Sequence, residues 1–286
     1  MTESIASFSV VIKPKRWFNF SDILNFKQKR AMVSVLAIRE LKVRYRNTFL
    51  GPLWNIFQPL LSSLTYFAIF NKVVGIKTGN IPGPLFYLTG IIVWQYFSQS
   101  VEMISSSLQG NRLIYSKIYL WKLAIPISTL LNKLIVVITQ LFSILLLLVF
   151  YRLRGEIVFE FDGLLLLLGL IPVLFLSALF ALGVGLWAST VSIFIRDILS
   201  IQAYLLQLML YATPILYPTQ SIPLKYQTLL KWNPLFAILD FERSVCFHSA
   251  PVDWRALLQC TLLILLVLSS GYILYHHCSQ DFIDRV

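Results

Sequence analysis

Charge is what this chain has least of. Asp, Glu, Lys and Arg make up 13% of its 286 residues, against about 25% in an ordinary soluble domain. With 57% of residues hydrophobic and a mean hydropathy of +0.74, too little polar surface remains to cover a water-soluble globule. The shortage excludes a soluble fold and makes a bilayer the expected solvent. Cysteine is also scarce: Cys246, Cys260 and Cys278 are scattered, with no Cys-x-x-Cys pair. That count excludes a disulfide framework and a zinc site. Catalytic signatures are missing as well. There is no phosphate loop, because Gly75-Ile76-Lys77-Thr78-Gly79 lacks the spacing that cradles a triphosphate. No HExxH, GxSxG or EF-hand pattern occurs. His276 and His277 are adjacent, so on a helix they diverge and read as interfacial side chains rather than metal ligands. The chain is expected not to be an enzyme and to carry no cofactor or metal of its own.

What is present is a set of long uncharged windows. A helix needs about 20 apolar residues to cross a hydrocarbon core, and charge-free stretches run over 47–71, 78–101, 134–151, 163–195, 198–224 and 256–280. The third is expected to start earlier, near Leu123, with Lys133 facing the bundle interior or lying near a membrane edge. The fourth is longer than one crossing requires and contains Pro172; it reads as one tilted or kinked helix. The expected fold is therefore all-α, with six transmembrane helices and an amphipathic amino-terminal interface helix. Its divisions are a cytoplasmic amino-terminal segment 1–48, a six-span domain 49–280 and a cytoplasmic tail 281–286.

The basic residues orient it. Lys and Arg total 24 against 13 Asp and Glu, a net charge of +11. With the amino terminus cytoplasmic and Lys133 counted inside, the inner pieces hold 16 basic and 7 acidic residues and the outer pieces 8 and 6. The positive-inside rule then places both termini in the cytoplasm. Topology accounts for the charge, so nucleic acid is not an expected partner. Met1–Arg46 shows no signal-peptide pattern.

From Ala31 to Arg46 the sequence has helix formers and neither Gly nor Pro. At helical spacing Ile38, Leu41 and Tyr45 share a face, with Arg39, Lys42 and Arg46 on one flank and Arg44 on the other. That is the geometry of a helix lying in the interface, its basic groups reaching the headgroups. The outer piece between spans five and six holds Thr213-Pro214, Tyr217-Pro218, Pro223 and Trp232-Asn233-Pro234. Prolines at that density break a long helix, and non-helical backbone at membrane depth needs protein or water beside it. A re-entrant element is expected there. The span interiors hold almost no charge besides Lys133, whereas a proton- or sodium-driven transporter needs intramembrane ionisable groups. Any driving energy must come from elsewhere.

At this point a family likeness emerges. The stretch from Arg39 to Trp54, Arg-Glu-Leu-Lys-Val-Arg-Tyr-Arg-Asn-Thr-Phe-Leu-Gly-Pro-Leu-Trp, followed by Pro59-Leu60, resembles the opening of type-2 ABC exporter permeases for polysaccharides, most closely their O-antigen export branch. The likeness extends over nearly the whole chain, including the Trp-Asn-Pro-Leu element before the last span. Asn111, Leu113-Ile114 and Lys117 also match the family's cytoplasmic loop, although Tyr119-Leu120-Trp121 lacks the family's proline.

The resemblance implies a homodimer in the bacterial inner membrane, each subunit docked on a cytoplasmic ABC ATPase, two copies in all, which would hold ATP and Mg. The cargo it implies is an undecaprenyl-linked polysaccharide moving from cytoplasm to periplasm. ATPase coupling would fall to Gly110, Asn111, Leu113, Ile114 and Lys117, with Arg196 and Asp197 as a minor contact. Sugar rings stack on flat apolar rings, and the first two spans are rich in them. Trp54, Phe57, Tyr66, Phe70, Phe86, Tyr87, Trp94, Tyr96 and Phe97 are the candidate conduit. Pro214, Tyr217, Pro218, Trp232, Asn233 and Pro234 are the candidate outer gate. Capsule, teichoic-acid and drug exporter permeases share this architecture. A single-chain secondary flippase for lipid-linked sugars would show internal repeats and buried charges. A membrane glycosyltransferase or phosphatase would need interfacial acids, and Asp240 and Glu242 read as outside, without a partner pattern.

Overall fold

A backbone with no water to bond has to satisfy its own N–H and C=O groups, and a helix does so within one segment. The computed structural model describes residues 26–46, 48–79, 81–111, 121–155, 163–223, 225–226, 230, 232–247 and 251–284. Regular structure among them is helical throughout. Helix α1 spans Phe26–Tyr45. A 3₁₀ turn over Gly51–Leu53 leads into α2, Trp54–Tyr66, which continues as a π-helical segment Phe67–Val73. Next come α3, Gly83–Ser105, the single turn α4, Ser107–Gly110, and α5, Ala124–Leu153. Helices α6, Gly163–Phe194, and α7, Ile198–Ala212, are joined by the short Arg196-Asp197 turn. The chain ends with α8, Pro234–Phe247, and α9, Trp254–Asp284.

Among the described residues, three stretches are long and apolar enough to cross a membrane: Ala124–Leu153, Gly169–Phe194 and Trp254–Cys278. Ile198–Ala212 is a shorter apolar helix. The first two sequence windows are helical as well, in α2 with its π continuation and in α3. Helix α5 begins one residue after the expected Leu123. Helix α6 runs uninterrupted through Pro172, so the long fourth window is a single helix.

Two regions take on detail that the sequence did not carry. Helix α1 packs on the bundle with more than the Ile38–Leu41–Tyr45 stripe. Ile38 is 52% exposed, whereas Val33 and Ala37 are buried, and Glu40 and Arg44 turn inward with them. Polar partners on α3 and α5, described below, make that mixed face the favourable one. The second region is the piece 225–255. Its central part is α8, whose residues 234–239 are all buried. The apolar run Pro234–Leu239 drives this burial, and Asn233 starts the helix by accepting the Leu235 amide at 3.1 Å through Oδ1.

The core centres on α6, which packs against α9, α3 and α8. Glycines set the closest approaches. A Cβ on Gly271 would stand 2.6 Å from the Gly183 carbonyl oxygen, and one on Gly183 would stand 2.9 Å from the Leu268 nitrogen. On the other side, a Cβ on Gly185 would meet Ile104 at 2.7 Å. Small residues at such crossings let backbones approach where lipid supplies no hydrophobic drive between helices. Trp187 Nε1 donates to Ser270 Oγ at 3.0 Å beside the same crossing. Gly271→Val is therefore expected to cost about 1–3 kcal/mol by overpacking, read as a lowered thermal midpoint of the detergent-solubilised chain. Ser269→Val, on the exposed side of α9, is expected to leave the midpoint unchanged.

Candidate functional site

Helix α3 lies between α2, α5, α6 and α7, and its sides differ in chemistry. The aromatic side is core. Phe86, Tyr87, Trp94, Tyr96 and Phe97 are all buried within the chain. Phe97 stacks on Phe180 of α6 with centroids 5.0 Å apart, and Phe86 meets Tyr87 edge-on at 5.3 Å. Within this chain, these five rings hold helices together. The four on α2 and its continuation differ. Trp54 and Phe57 are exposed; Tyr66 and Phe70 are half-buried, edge to face at 6.2 Å.

The other side of α3 carries amides. Gln95 and Gln99, four residues apart, lie on one helix face, and both are half-buried. Gln140 of α5 donates through Nε2 to Gln95 Oε1 at 3.1 Å, and Lys133 Nζ donates to Gln99 Oε1 at 2.8 Å. Next to Lys133 on α5, Asn132 Nδ2 donates to Glu40 Oε2 of α1 at 2.5 Å. Asn55 of α2 donates through Nδ2 to Tyr45 Oη at 2.8 Å and reaches Thr139 Oγ1 at 3.4 Å. Arg44 lies 3.7 Å from the Met103 sulfur. These bonds tie α1, α2, α3 and α5 into one polar seam. Interhelical bonds of this kind contribute about 0.6 kcal/mol each in membrane bundles. The sequence reading missed the seam because it sought charges and aromatics, and uncharged amides broke none of the windows. Gln95-x-x-x-Gln99 on a span was the available signal. Of the basic residues on α1, Arg39, Lys42 and Arg46 stay exposed, free to meet a surface.

At the opposite end of α6 from its start, the two coupling segments meet. Gln109 Nε2 donates to the Ser192 carbonyl at 2.5 Å, and the Ser107 and Ser189 hydroxyls are 3.5 Å apart. Asn111 closes the turn by donating to the Ser107 carbonyl at 3.0 Å. Gly110, Arg196 and Asp197 are exposed beside this junction. Leu113, Ile114 and Lys117 lie outside the described residues.

At the far end, the proline-rich segment folds over the start of α3. Pro214, Pro218 and Pro234 are buried, Trp232 is exposed, and Tyr217 and Asn233 are half-buried. Asn233 Nδ2 donates to Thr213 Oγ1 at 3.3 Å, Thr219 Oγ1 donates to Asp240 Oδ1 at 2.9 Å, and Tyr217 Oη donates to the Tyr211 carbonyl at 2.9 Å. Behind them, Glu242 is 0% and Arg243 3% exposed. The pair lies in α8, outside the six windows whose interiors hold almost no charge besides Lys133. A charged pair inside the 14-residue helix of Pro234 could have been suspected from Leu239-Asp240-Phe241-Glu242-Arg243, since both neighbours of the pair's helix face are apolar. The Arg243 guanidinium sits 3.9 Å over the Phe86 ring. Neither the Glu242 carboxylate nor the guanidinium has a hydrogen-bond partner among the described residues. Removing one of two buried opposite charges leaves the other uncompensated, whereas replacing both with apolar groups is often neutral. Arg243→Met alone is expected to destabilise the solubilised chain by about 3 kcal/mol. Arg243→Met combined with Glu242→Leu is expected to recover most of the thermal midpoint.

Comparison with known proteins gives this architecture a family. Residues 32–247 match the family described as ABC-2 type transporter. The O-antigen export system permease protein RfbA of Klebsiella pneumoniae is 27% identical over 237 residues, 82% of this chain and 88% of that protein. The protein of the same name from Myxococcus xanthus is 27% identical over 263 residues, covering 91% and 96%. The polysialic acid transport protein KpsM of Escherichia coli is 26% identical over 251 residues, covering 87% and 94%. A match running from within α1 to the end of α8 takes in the polar seam, the contact of α4 with the end of α6 and the proline-rich segment together, and the chain belongs to the ABC-2 type transporter family.

Proposed function

We propose that this chain is the membrane permease subunit of an ATP-driven polysaccharide exporter, moving a lipid-linked glycan of the O-antigen type from the cytoplasm to the periplasm. The observation that carries this reading is the near full-length similarity to permeases named for O-antigen export and for polysialic acid transport. In this reading the chain crosses the inner membrane six times, with both termini cytoplasmic: segment 1–48 carries the interface helix, 49–280 is the membrane domain and 281–286 is the tail. Two copies pair as a homodimer, since six helices enclose little volume and symmetric pairing is the commonest closed assembly. Two ABC ATPase subunits supply the energy, holding ATP and Mg that this chain has no loop to bind.

The residues divide the work by position. Gly110, Asn111, Leu113, Ile114 and Lys117 dock on the ATPase, with Arg196 and Asp197 beside them. Gln109 and Ser107, bonded to α6, carry the movement of that contact into the bundle as a rigid unit. Arg39, Lys42 and Arg46 attract anionic headgroups at the entrance. Trp54, Phe57, Tyr66 and Phe70 are the aromatics left to face a passage between subunits. The segment from Pro214 to Pro234, with Tyr217, Pro218, Trp232 and Asn233, covers the outer mouth between cycles.

Deleting the chain in a host that displays the glycan is expected to abolish surface display while lipid-linked glycan accumulates inside. Undiminished display would overturn the reading. Gln109→Ala is expected to lower display while the purified complex still hydrolyses ATP, because the coupling contact then moves without carrying α6.

A further inference from the structure

The amide seam on α3 has more hydrogen-bonding capacity than helix packing uses. Its two bonds to α5 engage only the Gln95 and Gln99 carbonyl oxygens. The NH₂ group of each, with two donors, makes no hydrogen bond among the described residues. Both side chains are half-buried, as is Ser98 on the same side of the helix. Hydrocarbon penalises exposed amides, so this face turns towards water or another polar surface. The exposed side of α5 has a different composition, with Ile135, Ile138, Phe142 and Leu146 among its apolar residues. The seam is also electrically balanced. Around Lys133, the like charge of Arg44 is offset by the carboxylates of Glu40 and Glu102.

We propose that Gln95 and Gln99, backed by Gln140 and Lys133, form a hydrogen-bonding track for an uncharged, polyhydroxylated sugar chain. The proposal rests on the permease reading above and adds the class of cargo and the residues that touch it. Sugar hydroxyls both donate and accept, and so do carboxamides. Bonds to the glutamine NH₂ groups form without breaking the bonds that hold α3 to α5. Two amides spaced about 6 Å along the helix let a hydroxylated chain exchange one partner for the next as it advances. Contacts of this strength are weak enough to release cargo. A polyanion would need an excess of cations along the track, and the balanced seam offers none.

Replacing both residues, Gln95→Leu with Gln99→Leu, is expected to lower surface display of a neutral glycan about tenfold. Levels of the chain and its ATPase partner should stay unchanged. Normal display from that variant, in cells where deleting the chain abolishes display, overturns the track and leaves the permease reading standing. Display that persists without the chain overturns the permease reading instead.

If the leucine variant does not accumulate, Ser98→Cys reads the same face in a chain whose Cys246, Cys260 and Cys278 are replaced by Ala. A water-soluble maleimide is expected to label Ser98→Cys and not Ile138→Cys on the exposed apolar side of α5. A neutral lipid-linked oligosaccharide is expected to block that labelling, and a uronate-rich one of equal length is not. A Ser98→Cys chain that stays unlabelled, or that the acidic oligosaccharide protects better, overturns the proposal.

Discussion

A polar group in hydrocarbon has to find its partner within the protein, and in this chain those partners converge on α3. Its aromatic side locks into α6 and the outer segment, and its amide side bonds α5. Helix α1 and α2 then join the same seam through Glu40, Tyr45 and Asn55. This explains why α1 turns a mixed face inward. Glu40 and Arg44 gain more from Asn132 and the groups around Met103 than from headgroup water, while Ile38 can be left outside at little cost. The helix that reads as a simple surface amphipath is thereby tied to the bundle.

Close backbone packing works alongside the polar seam. Gly183, Gly185 and Gly271 bring α6 within backbone distance of α9 and under Ile104 of α3. The bonds from Gln109 and Ser107 fasten α4 to the end of this closely packed helix.

The outer end is built on a different balance. Helix α8 fills the space over α3 and α6 with Leu235, Phe236, Ile238 and Leu239, and it carries Glu242 and Arg243 into that apolar setting. Burying two charges is costly, and the arrangement holds because the surrounding apolar contact and the Phe86 ring under the guanidinium offset it. The hydrogen bonds of Asn233, Thr219 and Tyr217 fasten the proline-rich segment in front of it. The charged pair and the proline turns therefore form one assembly, although Pro214 and Pro218 lie well before Glu242 in sequence.

Composition and periodicity alone determined the solvent, the all-helical class, the start of α5, the unbroken α6 and the break after α7, because each depends on residues close in sequence and on the cost of charge in lipid. A resemblance, carried by the run from Arg39 to Trp54 and the Trp-Asn-Pro element, pointed to the family. Composition and periodicity did not decide which face of α1 is buried, that Phe86, Tyr87, Trp94, Tyr96 and Phe97 are core rings, or that α8 turns inward with Glu242 and Arg243. Those outcomes depend on partners far along the chain: Asn132 for Glu40, Phe180 for Phe97, Phe86 for Arg243. An aromatic or a charge reads the same in sequence whether it faces lipid, a passage or a neighbouring helix. Only the tertiary structure sets what lies across from it, and with it the free energy that assigns its role.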